Sequence, residues 1–297
     1  MHPNTAKRLS EAIAEACDDP QIAPATLTAL QDARGGQHPT VRTHSHRYFL
    51  KLLPAADLRR LHNERLSLKT IAETNTVCIP HCHCVGKTDT HAFALFDYLE
   101  LRAGGVAAQA ALGQQLAAMH RHTDPNYGWP EDNAIGPTPQ PNARSSCWIT
   151  FWQEQRLDHQ IGLAKSKRCP QSTLAKLRDV SSALPDVLSD HAPEPSLLHG
   201  DLWAGNHGFL ADGQGVVFDP ASYYGDRETD IAMTTLFGGF SSHFYRGYEQ
   251  AWPLSPGHKK RRDLYQLYHV LNHFTLFGGH YAAEAHALSE RILGKIR

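Results

Sequence analysis

The chain has 297 residues, enough for two lobes that each bury a core. Its formal net charge is −1, from 29 basic and 30 acidic residues, so no basic excess points to a nucleic-acid partner. Hydrophobic residues make up 41% and charged residues 20%, which excludes wholesale disorder, and the longest stretch free of Asp, Glu, Lys, Arg and His (103–119) is interrupted by Gln109, Gln114 and Gln115, which argues against a membrane span.

The first 19 residues pattern as an amphipathic helix with Leu9, Ile13 and Ala16 on one face. They contain no apolar signal-peptide core, so a cytoplasmic location is expected. Six cysteines, Cys17, Cys78, Cys82, Cys84, Cys147 and Cys169, are thinly spread, and reduced thiols are expected. Residues 30–36 read as a strand that breaks at Gly35 and Gly36, and 46–53 as a compact β run stopped by Pro54. Residues 57–74 carry Leu58, Leu61, Arg65, Leu68 and Ile71 at helical spacing. Two further strands are expected over 77–85 and 93–99, separated by the polar turn at Gly86–Asp89. In the first of these, strand alternation would put Cys82 and Cys84 on one face and His81 and His83 on the other. No second Cys/His cluster completes a zinc set, so small, partly buried thiols are the better reading there.

Beyond Leu99 the period becomes helical. Helices are expected over 107–122, 148–164 and 173–188, with a Pro/Gly/Asn-rich loop over 123–142 and a strand-rich insert over 197–219. Two more helices should close the chain, the last over 263–277 being apolar nearly all round and hence a buried spine. The run Lys259-Lys260-Arg261-Arg262 reads as a solvated helix start. The expected fold class is α+β, with a small antiparallel sheet lobe carrying one main helix (1–98) and a larger helical lobe (99–297). That is a protein-kinase-like layout, and a layout alone assigns no chemistry.

The chemistry lies in His199-Gly200-Asp201-Leu202-Trp203-Ala204-Gly205-Asn206 and in Phe218-Asp219-Pro220. Phosphoryl transfer needs a carboxylate to orient and deprotonate the attacking hydroxyl, and oxygen ligands for Mg²⁺. Asp201 fits the first role, and Asn206, five residues on, has the offset of a kinase metal ligand. The segment between Asn206 and Asp219 reads as a hairpin whose closure would bring these two together on the metal. A cation for the ATP phosphates is also needed, and Lys51, at the end of a β run, could be fixed by an ion pair to Glu64 on the following helix. Gly35 and Gly36 could form the loop over the phosphates. The backbone of Asp97, Tyr98 and Leu99 would meet the adenine, which makes the sheet lobe the ATP-binding one. Trp203 and His199 are the candidate substrate contacts, an indole offering a flat apolar face to a sugar.

The run from His199 to Asn206 resembles the HGDLWxGN motif of fructosamine kinases. The segment from Phe218 to Glu228, Leu236–Phe240, Asn272-His273-Phe274 and the loop Asp132–Asn142 are similar to the same family, over about 35–279. The resemblance implies an ATP- and Mg²⁺-dependent kinase that phosphorylates the 3-hydroxyl of a ketosamine, free or on a protein lysine, as a deglycation step. The sequence departs from the family at Gln37, where some relatives place a redox-active cysteine, at Asp97, where Glu is more usual, and at His207, where a larger residue is expected. The alternatives are a kinase for another small alcohol or an aminoglycoside-like substrate and, from a different class, a pseudokinase that binds without turnover. The motif specifies neither the sugar, the amine carrier nor the oligomeric state.

Overall fold

The computed structural model describes residues 3–17, 26–31, 37–43 and 46–295. They form two compact units, 1–103 with 208–218 and 104–207 with 219–297.

In the first unit, helix α1 (Pro3–Cys17) precedes strands β1 (Thr26–Gln31), β2 (Gln37–Arg42) and β3 (Arg47–Pro54). Helix α2 (Leu58–Glu73) and strands β4 (Cys82–Lys87) and β5 (His91–Asp97) follow. The five strands make one antiparallel sheet in the order β1-β2-β3-β5-β4. A helix covers each face. Leu9 and Ile13 of α1 pack with Val41, Tyr48, Leu50, Phe93 and Leu95 on one side. Leu61 and Leu68 of α2 pack with Ala92, Ala94 and Phe96 on the other. A strand covered on both faces loses the polar half of its alternation, which is why Ala92–Phe96 is apolar throughout.

Three sequence expectations are corrected here. The register of β4 on β5 shifts between Cys82 and Cys84. Such a bulge turns the next side chain over, so Cys82 joins the α2 face and Cys84 the α1 face. The thiols are also not all reduced: Cys17, at the end of α1, is disulfide-bonded to Cys84, 67 residues away. Residues 77–81 do not extend β4. Instead Cys78 accepts the Val217 N–H at 3.0 Å, and Arg102 and Phe209 exchange backbone bonds at 2.8 and 3.3 Å. Those contacts group residues 208–218, which hold most of the hairpin of β9 (His207–Phe209) and β10 (Gly215–Val217), with the sheet unit.

The second unit is built on helices α3 (Val106–His120), α4 (Trp148–Phe151), α5 (Asp158–Ser166), α6 (Gln171–Ser182), α7 (Leu184–Val187), α8 (Glu228–Leu236), α9 (Ser242–Ala251), α10 (His258–Phe277) and α11 (Tyr281–Gly294). A π-helical turn (Trp152–Leu157) joins α4 to α5. A short hairpin of β6 (Asn133–Ile135) with β7 (Thr138–Gln140), and an antiparallel pair of β8 (Ser196–Leu197) with β11 (Tyr224–Gly225), complete it. Helices α3 and α9 cross at glycine contacts: a Cβ on Gly113 would lie 2.1 Å from the Phe244 carbonyl oxygen, and one on Gly247 would lie 2.0 Å from that of Ala110. The expected spine is α10, with its Leu264–Leu271 stretch buried. Four helices rather than two follow the motif region, because the glycine pairs 238–239 and 278–279, all at positive φ, break the apolar run. Arg261 is likewise not a solvated charge: it is buried and grips Glu228 through Nε and Nη2, both at 2.8 Å. Among the described residues, no helix is long and apolar enough to cross a membrane.

Candidate active site

The motif turn leaves β8 and is fixed from behind. Gly200 has φ +83°, and a Cβ there would come 2.1 Å from the Ala221 carbonyl oxygen, so the turn tolerates only glycine. The carboxylate of Asp230, buried in the first turn of α8, accepts the N–H of His199 at 2.7 Å and of Gly200 at 2.9 Å. Nε2–H of His120 donates to it at 3.1 Å, and the Tyr248 hydroxyl donates to Nδ1 of the same imidazole at 2.8 Å. Burial alone would raise the Asp230 pKa, but these donors outweigh it and hold the carboxyl below its ordinary range. The next segment is braced in turn: Asn133 donates to the Ser222 carbonyl at 2.8 Å and Gln140 to that of Ala221 at 3.0 Å, with the Tyr268 hydroxyl on Gln140 at 2.6 Å. The loop that resembles the family over 132–142 is therefore a buttress for residues 221–222, which lie against Gly200.

From this base Asp201 emerges half-buried. A 3₁₀ turn (Ala204–Asn206) folds Asn206 back, and its Nδ2 donates to the Asp201 carbonyl at 2.9 Å and to the carboxylate Oδ2 at 3.2 Å. With the nitrogen so engaged, Oδ1 of Asn206 is directed away from Asp201. Asp219 follows the β10 arm of the hairpin with an exposed side chain and φ +56°, a backbone state uncommon for a non-glycine residue and frequent at functional sites.

Trp203 stands on the same turn, its backbone N–H donating to the Asp201 carbonyl at 3.1 Å, and its ring lies across Gly205, where a Cβ would come within 2.3 Å of it. The indole is half-buried, outside the core. His199, expected to contact substrate, is 0% exposed. Its Nδ1 accepts the Asp201 N–H at 3.3 Å, which ties it to the turn from the inside. His207, smaller than the residue expected there, stacks flat on Phe240 with centroids 4.2 Å apart.

In the sheet unit, Lys51 Nζ lies 2.8 Å from Glu64 Oε2, and both side chains are largely buried. Asp97 ends β5 with its N–H on the His81 carbonyl at 3.1 Å and its carboxylate taking the His81 N–H at 3.0 Å and the His83 ring at 2.8 Å. Any adenine contact at Asp97 therefore falls to its carbonyl. The Tyr98 ring carries the Arg47 guanidinium at 4.0 Å, and Leu99 is half-buried in the irregular segment after it. Gly35 and Gly36 lie outside the described residues.

Sequence reading missed Asp230 and His120, which support the turn from 30 residues ahead and 80 behind in rough terms of chain distance. It also missed the buried cluster of His191, Asp226 and Glu228. Asp226 there accepts from His191 at 2.6 Å and from Tyr265, and Glu228 is taken up by Arg261, so the cluster is an internal ion network.

The fructosamine kinase family profile matches residues 7–295. A Vibrio parahaemolyticus protein named "Probable ketoamine kinase" is 43% identical over 249 residues, covering 83% of this chain and 85% of that one. An Arabidopsis thaliana protein named "Protein-ribulosamine 3-kinase, chloroplastic" is 35% identical over 259 residues, covering 86% and 79%. In structure, a candidate fructosamine-3-kinase from Haemophilus somnus superposes with a TM-score of 0.85 at 27% identity, covering 96% of each chain. A choline kinase from Streptococcus pneumoniae, at 14% identity and a TM-score of 0.68, shares the fold, covering 98% of this chain and 99% of that one. A kinase motif on a braced turn, a lysine–glutamate pair joining a five-stranded sheet to its helix α2 and these likenesses agree: the chain belongs to the fructosamine kinase family and is a nucleotide-dependent phosphotransferase.

Proposed function

We propose that this chain transfers the γ-phosphoryl group of ATP to the 3-hydroxyl of a ketosamine of the ribulosamine or fructosamine type, small or carried on a protein lysine. The observation that carries this reading is the Asp201 turn: a carboxylate oriented by Asn206, beside a half-buried indole that can cover the C–H face of a sugar. The relatives named for ketoamine and ribulosamine substrates give the acceptor its class.

In this reading Asp201 takes the proton of the attacking hydroxyl, whose oxygen forms the new bond to the γ-phosphorus while ADP departs. Lys51, steadied by Glu64, is the cation for the α- and β-phosphates. The Asp97 carbonyl and the Leu99 amide face the adenine, with Tyr98 between. Asn206 Oδ1 and the Asp219 carboxylate are the hard oxygen donors that Mg²⁺ prefers, and the Asn206 nitrogen is already committed to Asp201. When bound there, Mg²⁺ would neutralise charge on the transferring phosphates. Cytoplasmic ATP makes that compartment the natural setting.

ADP release measured with ribulosamine, fructosamine and erythrulosamine adducts of one amine tests the reading. At least one should be phosphorylated, and Asp201→Asn should lower kcat by about 10²–10⁴-fold with ATP affinity little changed. Activity confined to choline or an aminoglycoside would overturn it.

A further inference from the structure

One surface feature remains unused by the reaction as described. From Trp203 a row of aromatic rings runs outward over the helical unit. The Phe237 ring meets Trp203 edge-on at 6.4 Å, and His273 lies 4.9 Å from Phe237. Phe277 and Tyr281 follow at 5.6 and 5.2 Å from His273. The row draws on three separate segments: the end of α8, the last turns of α10 and the first residue of α11.

Its inner end is locked to the catalytic turn. Gly238 and Gly239 have φ of +70° and +97°, and a Cβ on Gly239 would come 2.2 Å from that of Ala204. Phe240 stacks on His207, so the loop is pinned on both sides of the motif and Phe237 is held against Trp203. The outer end is open to solvent. Phe237 is 42% and Phe277 68% exposed, and among the described residues only Leu101 and Val106 are other large apolar side chains left so exposed. Exposed rings clustered beside a catalytic carboxylate, rather than scattered singly, mark a surface that something apolar covers.

Continuity with the Asp201 turn identifies the occupant. A ketosamine has two halves, and its sugar must present a hydroxyl to Asp201. If the sugar lies on Trp203, the amine substituent extends along the next rings. We propose that Phe237, His273, Phe277 and Tyr281 form the subsite for the amine half of the substrate, selecting ketosamines whose amine carries an aromatic or aliphatic group over those with a small hydrophilic one. This rests on the ketosamine reading above and adds a preference that the motif does not specify. Trp203, Phe237, Phe277 and Tyr281 offer uncharged aromatic faces on either side of the His273 imidazole, which suits an apolar partner.

The test compares ribulosamine adducts of 2-phenylethylamine and of ethanolamine, which share the sugar and differ only in the amine substituent. Wild-type kcat/KM should favour the phenylethylamine adduct by about tenfold, the scale of one or two aromatic contacts. Phe277→Ser with Tyr281→Ser should bring the ratio to about one, mainly through KM for the aromatic adduct. Because the ratio compares two substrates on one preparation, partial loss of folded protein does not move it. Equal wild-type kcat/KM for the two adducts, or variant losses equal for both, would overturn the subsite while leaving the ketosamine kinase intact. Failure to phosphorylate either adduct, with another alcohol accepted, would instead remove the ketosamine reading and the subsite with it. A change in molar mass of the variant by light scattering, with the substrate ratio unmoved, would make the row a self-association face and defeat the proposal.

Discussion

Replacing Asp230 by Asn tests whether the turn is held by charge or merely by shape. The carboxylate serves three donors: His199 N–H and His120 Nε2–H on Oδ2, and Gly200 N–H on Oδ1. An amide has one acceptor oxygen, so whichever way it is placed its NH₂ faces at least one of these donors. One buried N–H then loses its partner, which costs about 1–3 kcal/mol, and the remaining bonds lose their charge assistance, roughly another 1–2 kcal/mol. A total near 3 kcal/mol is a large share of the roughly 5–15 kcal/mol that holds a folded domain. Urea denaturation should show a lower midpoint with an unchanged slope. In catalysis, the freed turn should let Asp201 drift, and a displacement near 1 Å lowers kcat by about 10²-fold. A wild-type midpoint and turnover in Asp230→Asn would show that the turn does not depend on the Asp230 charge.

Lys51→Met and Glu64→Gln should each lower kcat/KM for ATP, and the double variant should lose little more than either alone, since the pair acts through one contact at 2.8 Å. Additive losses would make them unrelated charges. Burial pushes the His269 pKa down to about 3. Between about pH 6.5 and that value the unfolded chain takes up a proton that the folded one refuses, so stability falls as the pH is lowered through that window, by at most about 1.4 kcal/mol per unit. His269→Gln should flatten the denaturation midpoint against pH between about 6.5 and 5, and a profile parallel to wild type would contradict the assignment. Thiol titration of denatured, unreduced protein should find four reactive groups, those of Cys78, Cys82, Cys147 and Cys169. Six would mean that Cys17 and Cys84 are not joined, and reduction of the joined form should cost about 4 kcal/mol by loop entropy.

The sequence showed what depends on short spacing. Asp201 and Asn206 are five residues apart on one turn, and Lys51 and Glu64 sit on a strand and the helix directly after it, so local periodicity was enough to suggest each pair. Asp230 was not legible because its partners are backbone N–H groups and a histidine far off in the chain. The available signal was a carboxylate in the first turn of a helix that continues Ile231-Ala232-Met233, where burial of an acid demands donors. Arg261 hid inside a basic run that looked solvated, since composition does not reveal which member of a charge run faces inward. The β4 bulge defeated strict alternation at Cys82 and Cys84, and only after that reversal can Cys84 meet Cys17. The burial of His199 was not legible, because a motif names residues without distinguishing those that face solvent from those that hold its neighbours.

The most direct measurement is nuclear magnetic resonance of the product formed from ATP and a ribulosamine adduct. One phosphate ester per ADP released, with phosphorus coupling to the proton on sugar carbon 3, is the predicted result, and it should vanish with Asp201→Asn. Coupling to any other carbon would contradict the assigned position, and ADP release without an esterified sugar would contradict the account as a whole.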